Sequence, residues 1–327
     1  MSCSEQHTIC VDMGTTNTRV WLLCGDQIVA SERQGVGVKV SASEGSTDSV
    51  ISVLQSMISE VATHGAHEHQ PACIAAAGMI TSSLGLKEIP HVRAPAGLTE
   101  LAEAAQWHRF PEISGLPFLL VPGVRTATES DSTVDVMRGE ETLCLGLVAS
   151  GLVGLPGVVL NLGSHWKAIE LDRGGRICSS VTSLSGELSD AVRNQTVLAS
   201  SLPQKFPPEL AWDWVERGMN EARKTNLPQT LFRIRLLELD NEGSAAERLA
   251  FLIGAFVATD LDALLARGNL FGKQIVLNGH GAVVESWSRA LEQKSVKTSI
   301  LSAVDTERAF LTGLQQIVNK AGTKALS

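Results

Sequence analysis

One stretch of sequence that occurs twice sets what this chain can fold into. From Ile9 to Leu23 two apolar, β-branched runs flank Asp12-Met13-Gly14-Thr15-Thr16-Asn17, and from Val158 to Leu171 two more flank Asn161-Leu162-Gly163-Ser164-His165. Each reads as a β-hairpin whose loop is wider and more polar than a two-residue connection requires. Aligning Gly163 with Gly14 puts Ser164 on Thr15 and Asn161 on Asp12. Each second strand then meets a turn, Gly25-Asp26 in one copy and Asp172-Arg173-Gly174-Gly175 in the other. A lone Asp-x-Gly-Thr fits a solvated hairpin about as well as a ligand loop. The second copy tips the balance, because such a repeat predicts two similar lobes whose glycine loops face one nucleotide. A glycine lets the backbone approach a ligand, and successive N–H groups and hydroxyls cradle an anion. Asp12, at the end of a buried strand, is suited to hold a hydrated cation beside the phosphates.

The bulk properties narrow the classes of partner. A length of 327 residues predicts about two domains with ample core. A formal net charge of −8 argues against a polyanion-binding surface, and so against nucleic acid. No apolar run approaches the roughly 18 uninterrupted residues of a membrane span, and the first residues lack a secretory pattern. Cys3, Cys10, Cys24, Cys73, Cys144 and Cys178 form no C-x-x-C pair. They read as reduced, mostly core thiols of a cytoplasmic protein.

Taken in order, residues 1–150 are expected to form the first lobe. A third strand covers Gln27–Gln34, and a helix with Ile51, Leu54, Met57, Ile58 and Val61 on its apolar face runs from an N-cap near Ser46 to about Gly65. A buried strand at Ala72–Ala77 leads into a long loop, 78–91, rich in glycine and hydroxyls. Long loops at strand ends concentrate binding residues, which makes Met79, Thr81 and Ser82 candidates. A helix over Leu98–Trp107, a strand at 117–121 and a polar loop through Arg125 and Thr126 follow. Asp135-Val136-Met137-Arg138-Gly139-Glu140-Glu141-Thr142 then opens a helix. Paired glutamates there complement a helix dipole, but Arg138 and Asp135 make the cluster denser than capping needs. Residues 151–327 form the second lobe: the repeated hairpin, a strand at 176–181, helices around 209–223 and 230–239, and a long helix at 244–267. A strand at 274–278 ends in Gly279-His280-Gly281, and a helix to about 292, a strand near 297–301 and a helix at 306–319 complete it.

These motifs together resemble the 2-dehydro-3-deoxygalactonokinase family, small sugar-acid kinases of the actin, sugar-kinase and Hsp70 superfamily. The most specific piece is the Asp135–Thr142 segment, which matches that family's D-V-M-R-G-E-E-T. Asp12 with Gly14, Thr15, Thr16, Asn17 and Arg19 matches its first phosphate loop. Gly163-Ser164-His165 with Lys167 corresponds to its G-T-H-x-K, Ser185-Gly186-Glu187-Leu188 to its T-G-E-L, and Pro122–Thr126 matches as well. Met13 and Ala168 stand where the family commonly has Trp, and Trp287 sits near a usual Tyr. Gly85-Leu86 and Pro90-His91 replace G-W and P-Y on the substrate side.

The resemblance implies an α/β fold of two actin-like, ribonuclease H-like lobes around a nucleotide cleft. It implies transfer of the γ-phosphoryl group of ATP, with Mg²⁺, to a hydroxyl of a small sugar acid. That chemistry needs positioning and charge neutralisation more than covalent steps. Asp12 is then the metal residue, and Gly14, Thr15, Thr16 and Asn17 take one side of the phosphates. Gly163, Ser164 and His165 take the other side, with Lys167 offsetting developing charge, and Gly279 and Gly281 pack against adenosine. Either Glu140 or Glu141 is the general base, with Asp135 the next candidate. Arg138, with Arg19 or Arg125, pairs with a substrate carboxylate. A homodimer is one admissible assembly. The rivals are a kinase of another sugar or amino-sugar, and a sugar-acid-sensing protein without turnover; no DNA-binding segment is seen before Ile9, which counts against a repressor.

Overall fold

The computed structural model describes residues 7–65, 70–126, 134–268, 270, 272–279 and 281–322; Cys3 and His280 lie outside the described residues. The chain divides into two compact units. The first comprises Met1–Leu152, Gly175–Ser179 and Glu307–Ser327, and the second Val153–Gly174 and Ser180–Thr306.

In the first unit β1 (His7–Met13), β2 (Thr18–Cys24) and β3 (Gln27–Gln34) form an antiparallel meander, followed by α1 (Val38–Glu44) and α2 (Asp48–Gly65). β4 (Cys73–Gly78) runs parallel to β1, with Asp12 opposite Ala77 and Met13 opposite Gly78. All six residues of β4 are buried, as expected of a central parallel strand covered on both faces. A single 3₁₀ turn, Met79–Thr81, leads to β5 (Val92–Arg93), α3 (Leu98–Ala104), β6 (Gln106–Arg109), β7 (Pro117–Leu120), β8 (Val124–Thr126), β9 (Asp135–Met137) and α4 (Glu140–Ala149). The main sheet has the order β3-β2-β1-β4-β7-β6, and β5-β8-β9 form a small second sheet. Leu54, Met57, Ile58 and Val61 of α2 pack with Ile9, Val11, Val20 and Leu22 in one core. Each such buried side chain contributes about 1.5–3 kcal/mol of transfer free energy.

The second unit repeats the plan. β10 (Gly157–Leu162), β11 (Trp166–Leu171) and β12 (Ile177–Ser183) form the meander, and α5 (Ser185–Gln195), α6 (Trp212–Lys224), α7 (Leu227–Leu239) and α8 (Ala245–Ala266) follow. β13 (Gln274–Gly279), α9 (Gly281–Glu292), β14 (Thr298–Ile300) and α10 (Ala303–Ala321) complete it, with α10 belonging to the first unit from Glu307 onward. The sheet order is β12-β11-β10-β13-β14. Both sheets thus share a reversed meander flanked by two further parallel strands. α8 is long and apolar enough to cross a membrane by length and composition, yet residues such as Phe251, Ile253 and Phe256 are buried in the core of this unit.

Several elements differ from the sequence expectation. The helix expected over Leu98–Trp107 ends at Ala104, and Gln106–Arg109 become an edge strand antiparallel to β7. Trp107 and His108 gain ladder partners there, which outweighs the weak helical pattern. The segment read as a polar loop at 122–126 contains β8, whose Val124 and Thr126 are buried on one side while Arg125 is exposed on the other. α1 and α5 have no counterpart in the expectation, and the last helix starts at Ala303 rather than Thr306.

Candidate active site

The carboxyl ends of β1 and β4 meet the start of α4, and this junction gathers the acidic residues. Asp12 is one residue from the end of β1 and faces Arg19 across the hairpin. Arg19 Nη2 lies 3.4 Å from Asp12 Oδ2. Burial raises the pKa of Asp12, the Arg19 charge lowers it, and the nearby Glu140 charge raises it again. Gly78 ends β4 with φ of +90°, where a Cβ would stand 2.5 Å from the Met13 carbonyl oxygen and 3.3 Å from Asp12 Oδ1. Only glycine fits this close crossing.

The two glutamates of α4 occupy different environments. Glu141 is fully buried, and both of its carboxylate oxygens accept from the Gly139 N–H, at 2.9 and 2.8 Å. Thr142 Oγ1 donates to Oε1 at 3.1 Å. Burial, helped by the Glu140 charge, pushes the Glu141 pKa up to about 7. Glu140 is only half-buried. Glu141 therefore fixes the helix start, whereas Glu140 keeps partial exposure.

Arg138 ties the 79–91 loop to this junction. Its Nη1 donates to Thr81 Oγ1 at 2.9 Å and its Nη2 to the Ile89 carbonyl at 2.8 Å, with His91 Nδ1 3.4 Å from Nη2. Thr81 Oγ1 in turn donates to the Gly78 carbonyl at 3.0 Å, and Ser82 Oγ to the Met79 carbonyl at 2.7 Å. The hydroxyls singled out in this loop thus shape the loop itself. Met79 is half-buried beside them, and Arg125 stands on the exposed face of the small sheet.

The first glycine turn is anchored through its carbonyls. Gly14 N–H donates to the Asn17 carbonyl at 2.8 Å, while the Gly14 and Thr15 carbonyls accept from Val38 and Lys39 at the start of α1. A Cβ on Gly37 would sit 2.5 Å from the Gly14 oxygen, so this contact needs a glycine. With the carbonyls held on that side, the Thr15 and Thr16 N–H groups meet no protein acceptor among the described residues.

The second unit repeats this device. The Ser164 carbonyl accepts from Glu187 N–H of α5 at 2.7 Å, and a Cβ on Gly186 would stand 2.2 Å from the Gly163 oxygen. Asn161 faces Lys167 across the hairpin as Asp12 faces Arg19, and Lys167 is buried. Asn161 Oδ1 accepts from Asn278 Nδ2 at 2.7 Å, and Asn278 Oδ1 accepts from Thr306 Oγ1 at 2.6 Å. His165 Nε2 lies 3.3 Å from Glu187 Oε2. Gly279 ends β13 as Gly78 ends β4, and its Cβ would meet the Leu162 carbonyl oxygen at 2.9 Å; Gly281 opens α9 with φ of +60°. Beside this turn lies a cavity of about 190 Å³ lined by Gly163, Gly186, Asp190, Arg193, Phe206 and Leu249.

Comparison with known proteins decides which chemistry this arrangement serves. The family model for 2-keto-3-deoxy-galactonokinase matches residues 12–317. The chain belongs to the 2-keto-3-deoxy-galactonokinase family. As a member it is a sugar-acid kinase, transferring phosphate from ATP to a hydroxyl. It is 30% identical to the 2-dehydro-3-deoxygalactonokinase of Escherichia coli, over 95% of this chain and 97% of that one. It is also 30% identical to a Rhizobium meliloti protein described as a probable 2-dehydro-3-deoxygalactonokinase, over 93% and 94%. A Sinorhizobium meliloti crystal structure provisionally described as this kinase superposes with a TM-score of 0.76 at 27% identity, covering 95% of this chain and 96% of its own. The 2-hydroxyisocaproyl-CoA dehydratase activator of Clostridium difficile, solved with ADPNP, shares the actin-like fold at a TM-score of 0.53 and 11% identity, over 98% of both chains.

Within this family kinase the sequence had pointed to Asp12, Arg138, Glu140, Glu141 and both glycine turns, and the first four, with the first turn, converge in the first unit. Gly37 escaped that reading, and Gly78, Gly139 and Gly186 stood inside segments already singled out but had no role assigned to them. The spacing of Gly186 from Gly163, equal to that of Gly37 from Gly14, was the signal on offer for this pair.

Proposed function

We propose that this kinase phosphorylates a hydroxyl of 2-dehydro-3-deoxy-galactonate or a close 2-keto-3-deoxy sugar acid in the cytoplasm, with Glu140 as the general base. The observation that carries the assignment is the contrast in α4. Glu141 spends its carboxylate on Gly139 N–H and Thr142, whereas Glu140 is half-buried and close enough to Asp12 to shift it. A base must come within hydrogen-bond reach of the attacking hydroxyl, and of the two glutamates Glu140 alone keeps some exposure from which to do so.

Asp12 is proposed to hold Mg²⁺. No group of three His, Cys, Asp or Glu suited to a metal occurs among the described residues. The single carboxylate of Asp12, at the end of β1 beside the glycine turn, fits an ion which keeps its waters and takes one or two carboxylates together with phosphate oxygens. When bound, Mg²⁺ neutralises charge on the transferring phosphates. Thr15 and Thr16 offer N–H groups to phosphate, as do Gly163, Ser164 and His165, and the buried Lys167 adds positive charge. The cavity beside Gly163 takes the nucleoside, with Gly279 and Gly281 letting the backbone approach. A protein of the same fold binds an ATP analogue, which supports this reading. Arg138 keeps Nε–H and its second Nη1–H for a substrate carboxylate after its bonds to Thr81, Ile89 and His91.

The test is ADP release from purified protein given ATP, Mg²⁺ and a panel of 2-keto-3-deoxy sugar acids, neutral sugars and amino-sugars. Turnover confined to the acids supports the proposal. Equal turnover of neutral sugars, or none with any acid, overturns it.

A further inference from the structure

A second cavity of about 220 Å³ opens in the second unit. Leu160, Trp166, Leu264 and Trp287 line its apolar part, and Val181 and Asp260 stand among the less buried residues around it. The two indoles pack edge to face with centroids 5.6 Å apart. Trp287 is fully buried, and its Nε1–H finds no acceptor among the described residues. Asp260 accepts a hydrogen bond from Ser183. Burial raises its pKa, and the groups acting on it are the Ser183 and Ser185 hydroxyls, with no basic side chain among them. A half-buried carboxylate without a counter-charge among the described residues is costly, and Asp260 stands at the edge of an otherwise apolar, aromatic-walled cavity.

We propose that this cavity is a binding site for a small amphipathic amine, with its apolar body against the tryptophan wall and its ammonium on Asp260. Aromatic walls also favour a cation over an anion. Trp166 lines this cavity and the one beside Gly163 as well. An occupant of the first therefore presses on a wall of the second, and amine binding changes nucleotide affinity.

The probe is 2-amino-1-phenylethanol, titrated into the full-length protein without nucleotide and followed by tryptophan fluorescence and calorimetry. One saturable site is expected, weakened about tenfold or more by Asp260→Asn, since a charge-assisted bond is lost. Ala263→Phe, at the lining of the cavity, should abolish binding and serves as the deciding variant should Asp260→Asn misfold. The anion 3-phenylpropionate should not compete. Absence of a saturable site, undiminished binding by Asp260→Asn, or equal binding of the anion overturns the site. Saturating amine should shift the Kd for ATP at least twofold in the parent and leave it unchanged in Ala263→Phe. An unchanged Kd in the parent overturns the link through Trp166, and this arm alone depends on the nucleotide assignment.

Discussion

Replacing Glu141 with Gln should alter how stability depends on pH far more than it alters stability at any one acidic pH. Burial and the Glu140 charge move the carboxyl from its ordinary 4.5 to about 7 in the folded state. Between those values the native protein holds a proton that the unfolded chain has released. Stability from this group is therefore highest below about 4.5, falls as pH rises through the window, and is at its lowest above about 7. A rise of that size corresponds to about 3 kcal/mol at 1.36 kcal/mol per pH unit. Gln is neutral throughout and keeps an oxygen to accept from Gly139 N–H, so it escapes the loss. Urea denaturation of both proteins from pH 5 to pH 8.5 reads the group together with its coupling to Glu140, because titrations not coupled to Glu141 cancel in the difference. Glu141→Gln should gain about 2–3 kcal/mol on the parent across that range. A difference that stays flat, or that moves against Gln as pH rises, refutes the reading of Glu141 as a buried anchor.

Glu140→Gln should lose about 10²–10⁴-fold in kcat with ATP affinity retained, read by steady-state kinetics and nucleotide titration; a parent-like kcat moves the base elsewhere. Asp12→Asn should remove most turnover while metal-free ATP still binds, and near-normal turnover across a Mg²⁺ titration would show that the loop is only a hairpin. Gly186→Ala forces a Cβ to within 2.2 Å of the Gly163 oxygen, so it should cost about 1–3 kcal/mol in denaturation and weaken ATP binding. Arg138→Lys should raise KM for acidic sugars more than for neutral ones, since a point charge cannot hold Thr81, Ile89 and a carboxylate together; an equal change for both removes the clamp.

The hairpins, the long helices and the acidic cluster were legible because each carries a strong local pattern. The Asp12 turn and its copy at Asn161 are visible as spacing alone, and α8 announces itself through its long apolar periodicity. What stayed hidden depends on distant neighbours. β5, β8 and β9 have two or three residues each, too few for a period-two pattern to register. β6 forms against the edge of β7, which local propensity does not encode. Glu140 and Glu141 are identical in type and adjacent, so only burial separates an anchor from a reactive group. The contacts of Gly37 and Gly186 join residues far apart in sequence, and no window around either glycine reveals them.

The paired glycine contacts also limit where the chain can change length. Gly14 to Gly37 and Gly163 to Gly186 span the same number of residues, while the stretch from Gly186 to Gly279 is far longer than that from Gly37 to Gly78. All the growth that distinguishes the two halves, chiefly α6, α7 and the long α8, falls after the helix has closed on its turn. An inserted tag, reporter or foreign domain should accordingly be accepted in the connections downstream of α5. A single residue added between a turn and its helix would slide Gly37 or Gly186 off its carbonyl and bring a side chain into the gap.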